Sequence, residues 1–229
     1  MERSNLERLQ FVATALEELK NIVVFVGGAT TELYVTDPAA TEIRTTKDVD
    51  CVIKLTNYAE FDNIESLLRR KGFQNDTSPG APICRWIYQD EKIDIMPDNE
   101  KIVGFSNRWY SDAVKYKVSR KLPNGIIIHI LPITLFVATK LEALKGRGGI
   151  DYRLSHDFED IIYIINNCPE FVDNYRSEVN KELKDYLKTE FCNLTSRPNI
   201  YEEIECALPV GDNDRIDYIV NIFNLISTN

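Results

Sequence analysis

Apolar residues near the start of the chain recur first with the spacing of a helix and then with that of a strand. The helical pattern places four of them on one face: Leu9, Val12, Leu16 and Leu19. The β-branched and aromatic run of residues 21–26 then predicts a buried strand. Gly27 and Gly28 end that strand abruptly, which indicates a tight turn.

The same two periodicities predict the elements up to residue 132. In chain order they are a short helix at 29–35, a loop at 36–46, a strand at 48–53, a helix at 61–71 that Gly72 ends, two strands at 83–88 and 92–96 joined by a hairpin turn at 89–91, and a strand at 126–131 after a turn at 123–125. Helices and strands mixed in this way indicate an α/β (α+β) fold with a mixed sheet.

Beyond Pro132 the pattern is helical. One helix is predicted from an apolar stripe and the glycines that close it: Ile133, Val137, Leu141 and Leu144, then Gly146, Gly148 and Gly149. Ser155 is placed to cap a further helix over residues 156–166. We therefore predict two parts, an α/β core at 1–132 and a helical C-terminal region at 133–229.

The composition is that of an ordinary globular protein, since 44% of the 229 residues are hydrophobic and 28% are charged. No apolar run approaches the ~20 residues that a membrane helix needs, and the charged N-terminus is unlike a secretory signal. We expect a cytoplasmic protein with no membrane partner. The five cysteines are scattered, which indicates reduced thiols rather than disulfides or a zinc site.

The net charge of −9 bears on the choice of partner. Phosphate contacts dominate the affinity of proteins for long nucleic acids, so this charge argues against tight binding to them. A small acceptor molecule is compatible with it, and so is an RNA held by a local basic patch. No such patch stands out in the sequence.

Carboxylates and glycines converge on the predicted strands. Asp48 and Asp50 would point to the same strand face about 6.5–7 Å apart, where they repel each other unless a cation lies between them. Their hard oxygens suit Mg²⁺ or Mn²⁺, with substrate phosphates as further ligands. Asp94 follows Ile93 on another predicted strand and would be a third metal ligand or the base for an acceptor hydroxyl. Amides of the Gly27 turn would approach phosphate.

Each of these features, taken singly, also fits a plain turn or a solvated strand face. Together the glycine pair, Asp48-x-Asp50 and Asp94 resemble the minimal pattern of the DNA polymerase β-like nucleotidyltransferase superfamily. Four further segments resemble the AbiEii/AbiGii toxin-type nucleotidyltransferases, in particular their small stand-alone bacterial relatives: Gly104–Tyr110, Thr139–Ala143, Arg147-Gly148 and Ser155–Ile161. The resemblance covers roughly residues 22–167. It implies a nucleotidyltransferase-type sheet with flanking helices and a C-terminal region that completes the cleft.

The resemblance also implies roles for other residues. Lys140 and Arg147 would contact the phosphates of an NTP, and Thr30 would replace the serine that many members carry after the glycine pair. Asp157 and Asp160, three residues apart on the next helix, would line the cleft. Alternatively, Lys140 and Arg147 are cations at the border of a helix, and Asp157 complements the helix dipole.

The implied activity is transfer of an NMP from an NTP to an acceptor hydroxyl with Mg²⁺ or Mn²⁺. RNA, including a tRNA 3′ end, is the acceptor that the resemblance favours, and the protein would be the toxin of a toxin–antitoxin pair with an antitoxin protein as partner. Two alternatives stay open. One is transfer to a small molecule such as an aminoglycoside, and the other is a non-catalytic nucleotide-binding regulatory protein with the same fold.

Overall fold

The computed structural model describes residues 3–37, 39–40, 43–147 and 150–228. The chain divides into two compact units, one of Met1–Leu33 and Arg44–Pro132, the other of Tyr34–Ile43 and Ile133–Asn229. The predicted class is confirmed, because the described residues form a mixed sheet flanked by helices, with helices in the C-terminal part. Residues 38, 41 and 42 of the predicted loop, and the predicted helix-closing Gly148 and Gly149, lie outside the described residues.

The strands of the sheet all belong to the first unit. Within the described residues they are β1 (Val23–Val26), β2 (Asp48–Ile53), β3 (Gln74–Asn75), β4 (Arg85–Tyr88), β5 (Glu91–Pro97), β6 (Val118–Lys121) and β7 (Ile127–Ile130). Their order is β3-β4-β5-β2-β1-β7-β6. β2 runs parallel to β5 and β1 parallel to β7, whereas the other neighbours are antiparallel. β1 and β2 are central and mostly buried, which explains why their apolar patterns predict them well.

The chain up to residue 132 also forms four α-helices and two 3₁₀ helices within the described residues. They are α1 (Asn5–Leu16), α2 (Tyr58–Arg70), α3 (Glu100–Val103), α4 (Tyr110–Tyr116) and the 3₁₀ helices Glu17–Asn21 and Gly28–Tyr34. A capping box begins α1, since Ser4 Oγ accepts from the Glu7 amide at 3.3 Å and the Glu7 carboxylate accepts from the Ser4 amide at 2.8 Å. The predicted face of this helix is buried, and the predicted helix at 29–35 is the second 3₁₀ helix.

Several sequence predictions for this unit need correction. β4 begins at Arg85 rather than at residue 83, and the hairpin turn after it is one residue shorter than predicted, because Tyr88 pairs with Glu91. Gln89, in that turn, has a positive φ of 54°. The sequence patterns do not predict β3, β6, α3 or α4, which have at most seven residues each and little continuous apolar character.

The second unit is helical. Its helices are α5 (Ile133–Gly146), α6 (His156–Asn167), α7 (Phe171–Ser177), α8 (Lys181–Thr195), α9 (Ile200–Ala207) and α10 (Arg215–Thr228). The predicted cap of α6 is confirmed, since Ser155 Oγ accepts from the Phe158 amide at 3.3 Å. α5 packs against α6, α7 and α8, so it is buried on most sides and not only along the predicted stripe. None of the helices in the described ranges has the length and apolar character needed to cross a membrane.

Candidate active site

The three predicted carboxylates of the sheet lie on neighbouring strands. Asp48 and Asp50 alternate with the buried Val49, so they lie on the same face of β2. The parallel pairing of β2 with β5 sets Asp50 directly opposite Asp94. Asp94 is buried and Asp48 half-buried. Asp48, Asp50 and Asp94 are termed the acid cluster below.

The glycine turn closes against this cluster. Val26, the last residue of β1, pairs with Asp50, so Gly27 follows at the same level of the sheet. Gly27 has a φ of 73°, and a Cβ placed on it would lie 2.0 Å from Oδ2 of Asp50. Any other residue at this position would therefore meet the carboxylate as well as an unfavourable backbone angle.

Thr30 stabilises the turn through hydrogen bonds to Gly27. Its amide and its hydroxyl both donate to the carbonyl oxygen of Gly27, at 3.1 and 2.9 Å. Gly28 begins the 3₁₀ helix and is buried, as is Thr30. Contact of Thr30 with a phosphate stays a prediction, and in this structure its hydroxyl is engaged within the turn.

Arg85 joins two members of the acid cluster, and the sequence analysis missed it. Arg85 lies opposite Asp94 in the antiparallel pairing of β4 and β5. Its Nε donates to Asp94 Oδ1 at 2.7 Å, and its Nη2 donates to Asp94 Oδ2 at 2.7 Å and to Asp48 Oδ2 at 2.9 Å. The signal that could have found it is the length of the hairpin turn, because a two-residue turn at 89–90 sets Arg85 opposite Asp94.

The charges of the acid cluster raise the pKa values of neighbouring side chains. Hydrogen bonds to Asp94 raise the pKa of Arg85. Burial, followed by the charges of Asp94 and Asp50, raises the pKa of the Cys84 thiol to about 12. Burial and the same two carboxylates raise the pKa of Cys51 well above its ordinary value. With pKa values raised in this way, both thiols stay protonated at neutral pH.

The carboxylate oxygens of the acid cluster are chemically suited to a divalent cation, although Arg85 is bonded to some of them. Carboxylate oxygens are the ligands that Mg²⁺ prefers, and three carboxylates against one guanidinium leave a formal charge of −2. In the part of the chain that the structure describes, no group of three or more His, Cys, Asp or Glu side chains is arranged to hold a metal ion. Both oxygens of Asp94 are instead bonded to Arg85.

Comparison with known proteins leaves the family open. No protein-family model matches the chain. No curated protein matches it either. The resemblance to the nucleotidyltransferase superfamily therefore stays a prediction from the sequence motifs.

A second charged cluster lies within the helical unit and contains the other predicted residues. Lys140 Nζ, on α5, lies 2.6 Å from Asp160 Oδ2 and 3.2 Å from Asp157 Oδ1, both on the first turns of α6. Arg147 Nη1 bonds to Asp157 Oδ2. Lys140, Asp157 and Asp160 are all buried, with exposures of 8%, 2% and 1%. These four residues are termed the lysine cluster below.

The burial of Lys140 contradicts the alternative sequence interpretation, a cation at the border of its helix. Lys140 is not a cation at the border of its helix, because α5 is surrounded by other helices of its unit. Its ammonium is bonded to two carboxylates, and its role toward NTP phosphates stays a prediction. Arg147 is the exposed member, with 70% of its side chain accessible. Asp157 also lies in the first turn of α6, where its charge complements the helix dipole.

Proposed function

We propose that this chain is a metal-dependent nucleotidyltransferase that moves an NMP from an NTP to an acceptor hydroxyl, within the DNA polymerase β-like superfamily and its AbiEii/AbiGii toxin-type branch. One observation carries the proposal. Asp48, Asp50 and Asp94 lie on adjacent parallel strands, and the Gly27 turn lies directly against Asp50. Nucleotidyl transfer needs concentrated negative charge for cations beside a backbone that can approach a triphosphate closely.

The proposed reaction balances as a displacement at phosphorus. The acceptor hydroxyl oxygen forms a bond to the α-phosphorus of the NTP, and the bond from that phosphorus to pyrophosphate breaks. Asp94 would be a third ligand of the metal, or it would take the proton of the attacking hydroxyl. Asp48 and Asp50 would hold Mg²⁺ or Mn²⁺, which when bound supplies positive charge beside the phosphate oxygens. Amides of the turn at Gly27 and Gly28 would face the triphosphate.

A basic segment that the sequence analysis missed supports RNA as the acceptor in spite of the net charge of −9. Residues 115–121 contain four cations and no acidic residue: Lys115, Lys117, Arg120 and Lys121. All are exposed except the half-buried Lys117, and the last two lie on the edge strand β6. Phosphates of an RNA would find a local positive surface here. The resemblance to toxin-type nucleotidyltransferases adds the proposal that the chain acts as a toxin, with an antitoxin protein as its partner.

A non-catalytic nucleotide-binding protein is the second candidate, and Arg85 is the observation that favours it. A guanidinium bonded to Asp94 and Asp48 neutralises part of the charge that a catalytic cation would use. Such a protein would bind NTP without transferring it. The two candidates therefore differ in whether label from an NTP becomes covalently attached to an acceptor.

The test is a survey of acceptors with each of the four α-³²P-labelled NTPs and Mg²⁺ or Mn²⁺. Total RNA, purified tRNA and an aminoglycoside are offered separately to the wild-type protein, to Asp50→Asn and to Asp62→Asn. Asp62 is an exposed residue of α2, so its substitution makes the same change of charge away from the acid cluster.

The proposal expects covalent label with the wild type and with Asp62→Asn, and none with Asp50→Asn. The labelled acceptor identifies the substrate class, and an aminoglycoside product in place of labelled RNA would redirect the function to small molecules. Metal-dependent NTP binding without covalent label on any acceptor would favour the second candidate.

A further inference from the structure

Arg85 occupies the position in the acid cluster where positive charge is needed. Its guanidinium makes two parallel hydrogen bonds to Asp94, each of 2.7 Å, and a third of 2.9 Å to Asp48. Only 19% of the Arg85 side chain is exposed, and 10% of the Asp94 side chain. A bidentate pair this well shielded from water is much stronger than an exposed ion pair.

The pairing of the strands fixes Arg85 in this position. β4 places its Cα opposite that of Asp94, while β2 brings Asp50 alongside Asp94 from the other side. Asp94 is thus the middle residue of a row across three strands, with a cation on one side and a carboxylate on the other. A guanidinium and a divalent cation would compete for the same carboxylate oxygens.

We propose that Arg85 is a built-in counter-ion that competes with divalent cations for Asp94 and Asp48 and so sets the cation affinity of the acid cluster. The inference rests on the proposed function, in that it takes the acid cluster to be a cation site. When no cation is bound, Arg85 holds the two carboxylates together. When a cation binds, Arg85 loses some of its hydrogen bonds to them. It is a positioning residue, since it acts through the carboxylates.

A structural ion pair would behave in the opposite way. If Arg85 served only to hold the strands and orient Asp94, its loss would misplace a ligand and would weaken cation binding or leave it unchanged. Competition instead requires that loss of the guanidinium strengthen cation binding. The sign of the change in affinity therefore separates the two roles.

The experiment measures binding of Mn²⁺ to the purified protein without nucleotide, by electron paramagnetic resonance of the free ion. Wild type is compared with Arg85→Gln, Arg85→Lys and Arg70→Gln, and Asp50→Asn tests whether binding is at the acid cluster. Arg70 is an exposed residue at the end of α2, so Arg70→Gln removes the same charge at a distance. Thermal unfolding with and without Mn²⁺ is recorded for each protein.

We expect Arg85→Gln to bind Mn²⁺ about tenfold more tightly than wild type, or better, because it removes a cation next to the site. Without Mn²⁺ its Tm falls, because the carboxylates then repel each other, and Mn²⁺ raises that Tm more than it raises the wild-type value. Arg85→Lys should lie between the two, since lysine keeps the charge and loses the bidentate geometry. Arg70→Gln should match wild type.

Unchanged or weaker Mn²⁺ binding by Arg85→Gln would overturn the inference, as would the absence of saturable binding in both proteins. If Arg85→Gln does not fold, the same criterion applies to Arg85→Lys. Failure of the proposed function looks different. If the variant binds Mn²⁺ more tightly but the wild type transfers no nucleotide, Arg85 is a counter-ion and the proposed enzyme activity is rejected. If the wild type transfers nucleotide but the variant binds Mn²⁺ with unchanged affinity, the enzyme activity stands and the counter-ion role is rejected.

Discussion

The carboxylate of Asp50 fills the space that a side chain at Gly27 would need. A Cβ on Gly27 would approach Oδ2 of Asp50 to 2.0 Å and its Cγ to 2.9 Å. The end of β1 and the start of β2 are thereby joined at the acid cluster, and the turn backbone is held against a charged group. A glycine pair after a buried strand and an aspartate on the next strand are thus parts of one arrangement.

Substitution of Gly27 by alanine should disrupt this arrangement. A positive φ of 73° combined with the close approach to Asp50 predicts a loss of about 2–4 kcal/mol in the free energy of unfolding. Gly125 has a similar φ of 86° with no atom within 4 Å of an added Cβ, so Gly125→Ala should cost only about 1 kcal/mol. Urea unfolding of both variants measures the difference. Equal losses would show that Asp50 is free to move aside.

The lysine cluster predicts strong coupling between buried charges. Lys140→Met leaves Asp157 and Asp160 buried without their ammonium partner and should cost about 3–5 kcal/mol. Lys140→Met combined with Asp160→Asn should cost less than the sum of the single substitutions, by about 1–3 kcal/mol. A double-mutant cycle of unfolding free energies tests this coupling.

Lys145→Met is the matched control for that cycle. Lys145 pairs with Glu190 at 2.8 Å, and 45% of its side chain is exposed. Its loss should change the free energy of unfolding by less than about 1 kcal/mol. Additive effects of Lys140→Met and Asp160→Asn would contradict the interaction that the structure assigns to them.

Stability should fall at alkaline pH because of the buried thiols. The pKa of Cys84 is raised from 9.0 to about 12 by burial and by Asp94 and Asp50, so above pH 9 the thiol ionises in the unfolded chain and stays protonated in the folded one. The unfolded state gains stability as the pH rises, and the free energy of unfolding falls by about 1.4 kcal/mol per pH unit for this thiol.

Comparison of variants isolates the contribution of Cys84 from other groups that titrate in this range. Cys84→Ala should show a shallower decline of unfolding free energy between pH 9 and pH 11 than wild type. Cys192→Ala, which removes an exposed thiol, should show the wild-type slope. The same slope in all three proteins would mean that the Cys84 thiol ionises as readily in the folded protein as in the unfolded chain.

Much of the sheet could be predicted because its central strands are buried. The apolar run of residues 21–26 predicts β1, and the alternation of polar and apolar residues at 48–53 predicts β2. The same alternation puts Asp48 and Asp50 on one face. Short elements such as β3 and β6 depend on pairing with distant residues, and β6 is exposed at every position. Hydrophobic periodicity has no signal for such segments.

Arg85 was missed because of an error of one residue in a turn. A three-residue turn at 89–91 would set Arg85 opposite Ile95, whereas the observed pairing of Tyr88 with Glu91 sets it opposite Asp94. Since side chains alternate across a strand, a shift of one residue moves a side chain to the other face of the sheet. The charge balance of the acid cluster could not be derived without that register.

Lys140 shows a different limit of sequence patterns. A stripe of apolar residues predicts one buried face of a helix, but it does not reveal how many neighbours surround that helix. α5 is enclosed by three others, so a residue at the predicted border is buried with two carboxylates. The pairing of Lys140 with α6 follows from packing between helices, which their separate patterns do not specify.

The central claim is nucleotidyl transfer at the acid cluster, and parallel reactions with α-³²P- and γ-³²P-labelled NTP test it most directly. The wild-type protein, with Mg²⁺ and the acceptor that gives the strongest signal, should attach the α label and release the γ label as pyrophosphate. Asp48→Asn and Asp50→Asn should attach neither. Attachment of the γ label, or α label that persists in both variants, would contradict the account, because the first is phosphoryl transfer and the second places the chemistry elsewhere.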